Sequence, residues 1–163
     1  ISAGYRKIAH FAGYARTSVG KERCSAYLEA LREHHIPVAR EWIIEGGYEI
    51  EDGFRAFEKL YKTKNLPEII LAVNDRVALG AYKAIRRAGL RIPENIGIVG
   101  YGFSETAQLF SPTLSIINQD PRKMGSMAAN LLLDEIEGKS IPLGMQVLIE
   151  EDFQWNTSVG KRD

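Results

Sequence analysis

The sequence predicts an α/β fold: three layers, αβα, around a mainly parallel sheet. Two observations predict it. Short apolar runs alternate with helical-period segments from Lys7 to Tyr101, with short connections, as in right-handed βαβ units. In addition, Glu68-Ile69-Ile70-Leu71-Ala72-Val73 is apolar almost throughout, the mark of a strand covered on both faces.

Each element has its own signal. Lys7 to Phe11 is a short apolar strand closed by Gly13. Val19 to His34 carries Cys24, Tyr27, Leu28 and Leu31 at helical spacing. Ser18 is the expected N-cap, Glu22 suits the positive end of the helix dipole, and Pro37 stops the segment. Glu41 to Ile44 is a second strand, ended by Gly46-Gly47. Ile50 to Lys62 is a helix with Phe54, Phe57, Leu60 and Tyr61 on one side, broken by Leu66-Pro67. After the apolar third strand, Asp75 to Ala88 is a helix that buries Val77, Leu79, Tyr82 and Ile85, with Gly89 as its C′ stop. Ile96 to Val99 is the fourth strand.

The final third breaks the alternation. Leu114 to Asn118 reads as a strand. Pro121 to Glu137 is an amphipathic helix with Met124, Met127, Ala128, Leu131, Leu132 and Ile136 apolar, ended by Gly138. Met145 to Ile149 and Phe153 to Trp155 are expected to form a closing pair of strands. Pro112 and Pro142 flank the helical stretch, which fits an excursion out of the main lobe and back.

Composition removes several function classes. The 163 residues suit one domain or one lobe of a larger protein, and 45% hydrophobic content excludes general disorder. The 21 basic and 21 acidic side chains cancel, so this segment lacks the basic surface that a phosphate backbone requires. Arg86-Arg87 is only a pair, and Lys161-Arg162 belongs to a terminal tail. One cysteine, Cys24, excludes an internal disulfide framework and a Cys-rich zinc site. No apolar run is long enough to span a membrane, and Ile1 to Arg6 has no signal-peptide shape. Without an initiator Met, the chain is expected to start inside a longer protein.

No catalytic constellation emerges. Cys24 lies on an apolar helix face and reads as a small core residue. His10 lies within a strand, His34-His35 at a helix end, and neither joins a set with metal-ligand spacing. No cofactor or metal is expected. Gly97 to Gly102 looks like a glycine-rich nucleotide loop, but Gly97 falls inside the strand, where no phosphate can be cradled.

In a parallel sheet, ligands sit beyond the C-terminal strand ends. Four loops lie there: Gly13 to Val19, Glu45 to Glu49, Asn74-Asp75, and Gly100 to Glu105. Asn74 and Asp75 each suit a helix cap; an Asn amide also offers a donor and an acceptor to a sugar or a base edge. Arg23 is either a solvated surface residue or turns back to the strand ends. Tyr48 either covers core or stacks on a flat ligand face.

These residues resemble the effector-binding part of LacI/GalR-type bacterial transcription regulators. The resemblance rests on Ala72-Val73-Asn74-Asp75-Arg76-Val77-Ala78-Leu79-Gly80-Ala81, Gly89-Leu90-Arg91-Ile92-Pro93-Glu94-Asn95-Ile96 and Val99-Gly100-Tyr101. It continues through Ser111-Pro112-Thr113-Leu114, Asn118-Gln119-Asp120 and Met124-Gly125. It implies a periplasmic-binding-protein-like fold (type I) of two lobes with the effector between them. It also implies operator DNA as a partner, read by a helix-turn-helix headpiece that this sequence lacks. Residues 1–118 and 144–163 would form the C-terminal lobe, and 119–143 a crossover helix of the first lobe. The resemblance makes Arg23 a contact to polar groups of the effector, Tyr48 a stacking aromatic, Asn74 a hydrogen-bonding amide with Asp75 beside it, and Thr17 part of a contacting loop. Gly102, followed by Phe103, stands where many members carry an effector-binding aspartate. That departure points away from an ordinary sugar and toward a less hydroxylated effector, with Glu105 as a partial substitute. The expected protein is a cytoplasmic homodimeric repressor-type sensor of a small molecule (a sugar or related metabolite), with no catalysis and no membrane partner. The alternative is a solute-binding protein of a sugar importer.

Overall fold

The computed structural model describes residues 1–160, so the tail Lys161-Arg162 lies outside the described residues. Among the described residues, six strands form one sheet: β1 (Ile8–Ala12), β2 (Ile43–Glu45), β3 (Ile69–Ala72), β4 (Gly97–Gly102), β5 (Ser115–Asn118) and β6 (Asp152–Gln154). Their order is β2-β1-β3-β4-β5-β6. The first five pair in parallel, as the alternation requires, and β6 closes the edge antiparallel to β5. The helices are α1 (Ser18–Glu33), α2 (Ile50–Lys62), α3 (Asp75–Arg87), α4 (Ser104–Ala107) and α5 (Pro121–Ile136).

Strand periodicity divides the side chains between two faces. Ala9 and Phe11, Ile70 and Ala72, Ile98, and Ile116 point into the main core, which α2 and α3 cover with Phe57, Leu60, Val77, Ala81 and Ile85. The two helices touch backbone to backbone: a Cβ on Gly80 would stand 2.7 Å from the Phe54 nitrogen, and one on Gly53 2.7 Å from the Val77 carbonyl carbon. Among the described residues, the opposite face holds two small buried clusters, around Tyr5, Ile69 and Val99 and around Tyr27, Leu31 and Ile36.

The last residues are tied in by polar groups. Ser158 is fully buried; its hydroxyl accepts from the Ser115 N–H at 2.7 Å and donates to the Ile98 carbonyl at 2.6 Å. This gives two buried backbone groups a partner that no strand supplies.

Several expectations are corrected. Thr17, not Ser18, caps α1: its extended backbone (φ −95°, ψ 150°) lets its hydroxyl accept from Gly20 N–H. Consequently Glu22 falls outside the first turn, which contains no acidic residue. Arg40–Trp42 forms a 3-10 turn, so the second strand begins at Ile43. Leu79 is half-buried and Tyr61 is 45% exposed, because the α2–α3 crossing is made by glycines rather than by large side chains. Among the described residues, Met145 to Ile149 pairs with no strand, and Asp152–Gln154 alone reaches the β5 edge. The short α4 has no sequence signal beyond Ser104.

Candidate functional site

The parallel register carries the first four strands to one end of the sheet, where their loops gather the candidate residues. Thr17 ends the β1–α1 loop, Tyr48 lies in the β2–α2 loop, Asn74 and Asp75 join β3 to α3, and Gly102 and Phe103 end β4. Arg23, one turn into α1, turns back to the sheet rather than to solvent. Its guanidinium donates to the Val73 carbonyl and stacks over the Tyr101 ring, 3.5 Å from the centroid. Burial lowers its pKa, while the negative charge of Glu151 opposes the shift. An arginine retains its charge under such a shift. The site therefore holds a fixed cation on an aromatic face, worth about 1–2 kcal/mol when desolvated.

The polar side chains lock one loop to another. Thr17 Oγ1 donates to the Tyr14 carbonyl at 2.8 Å, so the Tyr48 hydroxyl is the donor in its short bond to Thr17 Oγ1. Tyr14 meets Tyr48 edge to face, with centroids 5.7 Å apart. Asn74 is bonded at both ends of its amide. Oδ1 accepts from Val77 N–H at 2.7 Å as the α3 cap, and Nδ2 donates to the Tyr48 carbonyl at 2.9 Å. Its second amide hydrogen is the group left for a ligand. The capping role weighed from the sequence thus applies to Asn74, which also lies in the loop at the C-terminal end of β3.

Nearby carboxylates are already engaged. Glu45 accepts from Ala15 N–H at 2.8 Å, Asp52 accepts from Glu49 N–H at 2.9 Å, and Glu49 pairs with Arg76. Asp75 is different. It is half-buried, and among the described residues it has no hydrogen bond or ion pair. Its Oδ2 lies 2.8 Å from where a Cβ on the buried Gly102 would stand. A carboxylate is therefore present beside position 102, although the residue at 102 lacks one. Phe103 is 39% exposed at the rim, and Glu105 is exposed.

Sequence reasoning missed Tyr101 and Tyr14 as parts of this constellation. Tyr101 was legible from strand alternation, because it shares the period-two face of Val99, toward α1. Cys24 is half-buried, and burial with Glu45 pushes its thiol pKa up, the reverse of what a nucleophile needs. Among the described residues, no group of three His, Cys, Asp or Glu is placed to hold a metal ion, and no helix is long and apolar enough to cross a membrane.

The chain matches the periplasmic binding protein-like domain over residues 1–154. It is 36% identical over 137 residues to the transcriptional repressor PurR of Actinobacillus pleuropneumoniae serotype 3 (strain JL03), covering 84% of this chain and 41% of that protein. Among solved structures, a complex of the transcriptional regulator CelR with cellobiose superposes with a TM-score of 0.89 at 28% identity, covering 97% of this chain and 48% of that one. A lac repressor dimer bound to operator and the anti-inducer ONPF superposes with a TM-score of 0.87 at 27% identity, covering 96% of this chain and 54% of that one. The chain thus spans less than half the length of the PurR relative it matches. These relatives are transcription regulators rather than enzymes. The chain belongs to the periplasmic binding protein-like domain family.

Proposed function

We propose that this chain is the effector-sensing lobe of a LacI-type repressor, and that a small molecule binds beyond the C-terminal ends of β1 to β4. The observation that carries the reading is the gathering at one sheet end of four loops, a cation stacked over Tyr101, a carboxylate at Asp75 without a partner among the described residues, and the aromatic side chains of Tyr48 and Phe103. Such a mixture of apolar walls and a few fixed polar groups suits a small metabolite with a flat or apolar face. Asp75 supplies an acceptor for a hydroxyl or N–H donor, so the missing carboxylate at Gly102 does not exclude a sugar. The regulators among its relatives favour a sensor over an importer's solute-binding protein.

Effector binding would act by differential affinity for two arrangements of the lobes, shifting the geometry of a DNA-binding homodimer with no covalent step. Residues 119–143 belong in this reading to the other lobe. None of the residues of α5 is buried, and Leu132, Leu133 and Ile136 stand 57%, 54% and 71% exposed. The expected setting is the cytoplasm. Calorimetric titration of the full-length protein with sugars and nucleobases tests the site. One class should bind, and Arg23→Ala or Tyr48→Ala should weaken it at least tenfold. Binding that neither substitution weakens refutes the site.

A further inference from the structure

The end of the sheet away from the candidate loops carries a separate pocket of about 440 Å³. It lies where β1 and β2 begin, roughly 15 Å along the strands from the loops that follow them. Its size falls within the range of small-molecule sites. Arg6, Lys7, His34 and His35 supply its polar lining, Val38 and Trp42 are part of its apolar lining, and among the described residues no carboxylate lines it. In a chain whose 21 basic and 21 acidic side chains cancel, that is a patch of one sign. The Arg6 guanidinium is held in place. Its Nη1 donates to the Ile1 and Tyr5 carbonyls, both at 2.9 Å, which leaves the Nη2 and Nε hydrogens over. Glu68 accepts from the Arg6 and Lys7 backbone N–H groups at 2.9 and 3.0 Å. Trp42 Nε1 donates to the Asn65 carbonyl at 2.9 Å, so the only polar atom of the ring is satisfied and the rest is carbon.

His35 stands there at a cost. α1 ends in a Schellman turn: His35 N–H donates to the Arg32 carbonyl at 3.1 Å and Ile36 N–H to the Leu31 carbonyl at 2.8 Å. His35 therefore takes φ 54°, a left-handed conformation that glycine adopts freely and a side chain resists. α3 and α5 end in the same turn on Gly89 and Gly138. Lys64, after α2, shares the conformation but lies outside this pocket, so the case for His35 rests on conformation and position together. We infer that this pocket is a second ligand site, for a phosphate monoester with an apolar body, and that His35 stands at the turn as one of its contacts. A phosphate group carries nearly two negative charges and three acceptor oxygens, which matches two cations and two imidazoles. The body packs on Val38, 44% exposed, and on Trp42. None of the lining residues belongs to the loops at the other sheet end, so this inference is independent of the effector site.

Calorimetric titration of the full-length protein with phenyl phosphate tests it. Benzoate serves as the singly charged comparison and inorganic phosphate as the one without a body. Phenyl phosphate should bind with a Kd below about 1 mM, and at least about fivefold more tightly than either comparison. Lys7→Gln and Arg6→Gln should each weaken it about three- to fivefold, the worth of one exposed charge pair. His35→Gly should weaken it as much while raising the Tm by about 2 °C, because glycine relieves the left-handed residue. Arg23→Ala, at the other sheet end, should leave it unchanged. Four results would each overturn the inference: no binding at about 10 mM; equal affinity for benzoate or inorganic phosphate; binding that Arg23→Ala abolishes and Lys7→Gln spares; or a His35→Gly variant that loses stability or binds like the wild type.

Discussion

Replacing Asn74 separates the two bonds of its amide. Asn74→Ala removes the α3 cap to Val77 N–H (2.7 Å) and the tie to the Tyr48 carbonyl (2.9 Å). Losing an N-cap costs about 1 kcal/mol. Losing the second bond costs about another 1 kcal/mol, because the half-buried loop carbonyl forfeits its partner. Asn74→Ala should therefore destabilise by about 2 kcal/mol. Asn74→Asp keeps an oxygen for the cap but sets a carboxylate against the Tyr48 carbonyl, so it should lose about half as much or slightly more. Urea denaturation at constant m-value reads both changes as shifts in midpoint. In effector titrations, both variants should also weaken binding, since the tie sets the position of Tyr48. If Asn74→Asp matches the wild type in stability, the bond to the Tyr48 loop does not hold the site together. If Asn74→Ala falls within about 0.3 kcal/mol of the wild type, the capping argument fails as well.

Other consequences follow from the packing and charge of the lobe. Gly80→Ala forces a methyl into the α2 backbone near Phe54 and should cost about 2–3 kcal/mol, read as a fall in Tm of about 5–10 °C; an unchanged Tm would mean that the helices do not touch as described. Burial, with the charge of Arg23, lowers the pKa of His10, so the folded state binds fewer protons than the unfolded one. Its contribution is complete above about pH 6.5 and declines as pH falls below that value. The urea midpoint should therefore drop from about pH 7.5 to 5.5, and His10→Phe should flatten that slope; an equal slope in the variant assigns it elsewhere. The exposed stripe of α5 should make this 163-residue chain associate, with light scattering giving a dimer that Leu132→Lys with Ile136→Lys returns to monomer. A monomeric wild type would refute that expectation.

Much of the fold was legible because the signals were local. The apolar runs at Ile8 and Ile69, the stop at Gly89 and the Pro121 start of α5 each follow from the chemistry of a few neighbouring residues. What sequence reasoning missed depends on distant partners. Nothing around Gly80 announces that another helix approaches within backbone contact. Ser158 becomes structural only because Ser115 and Ile98 leave polar groups beside it. Thr17 displaced Ser18 as the cap because the loop geometry, not the residue type, decides between adjacent hydroxyls. The candidate site was legible as a set of loops, since strand ends gather them. Its electrostatics were not: the absence of an acid at 102 was visible, whereas the carboxylate of Asp75 filling that space was a matter of three-dimensional placement.

The central claim is that this lobe senses a small molecule for a DNA-binding parent. Fluorescence anisotropy of full-length protein on labelled operator, with and without the effector class found by calorimetry, tests it most directly. The account predicts that effector changes operator affinity at least fivefold, and that Arg23→Ala abolishes the change while leaving effector-free DNA affinity intact. Operator affinity that is indifferent to every sugar and nucleobase tried, with no binding to this lobe, would contradict it.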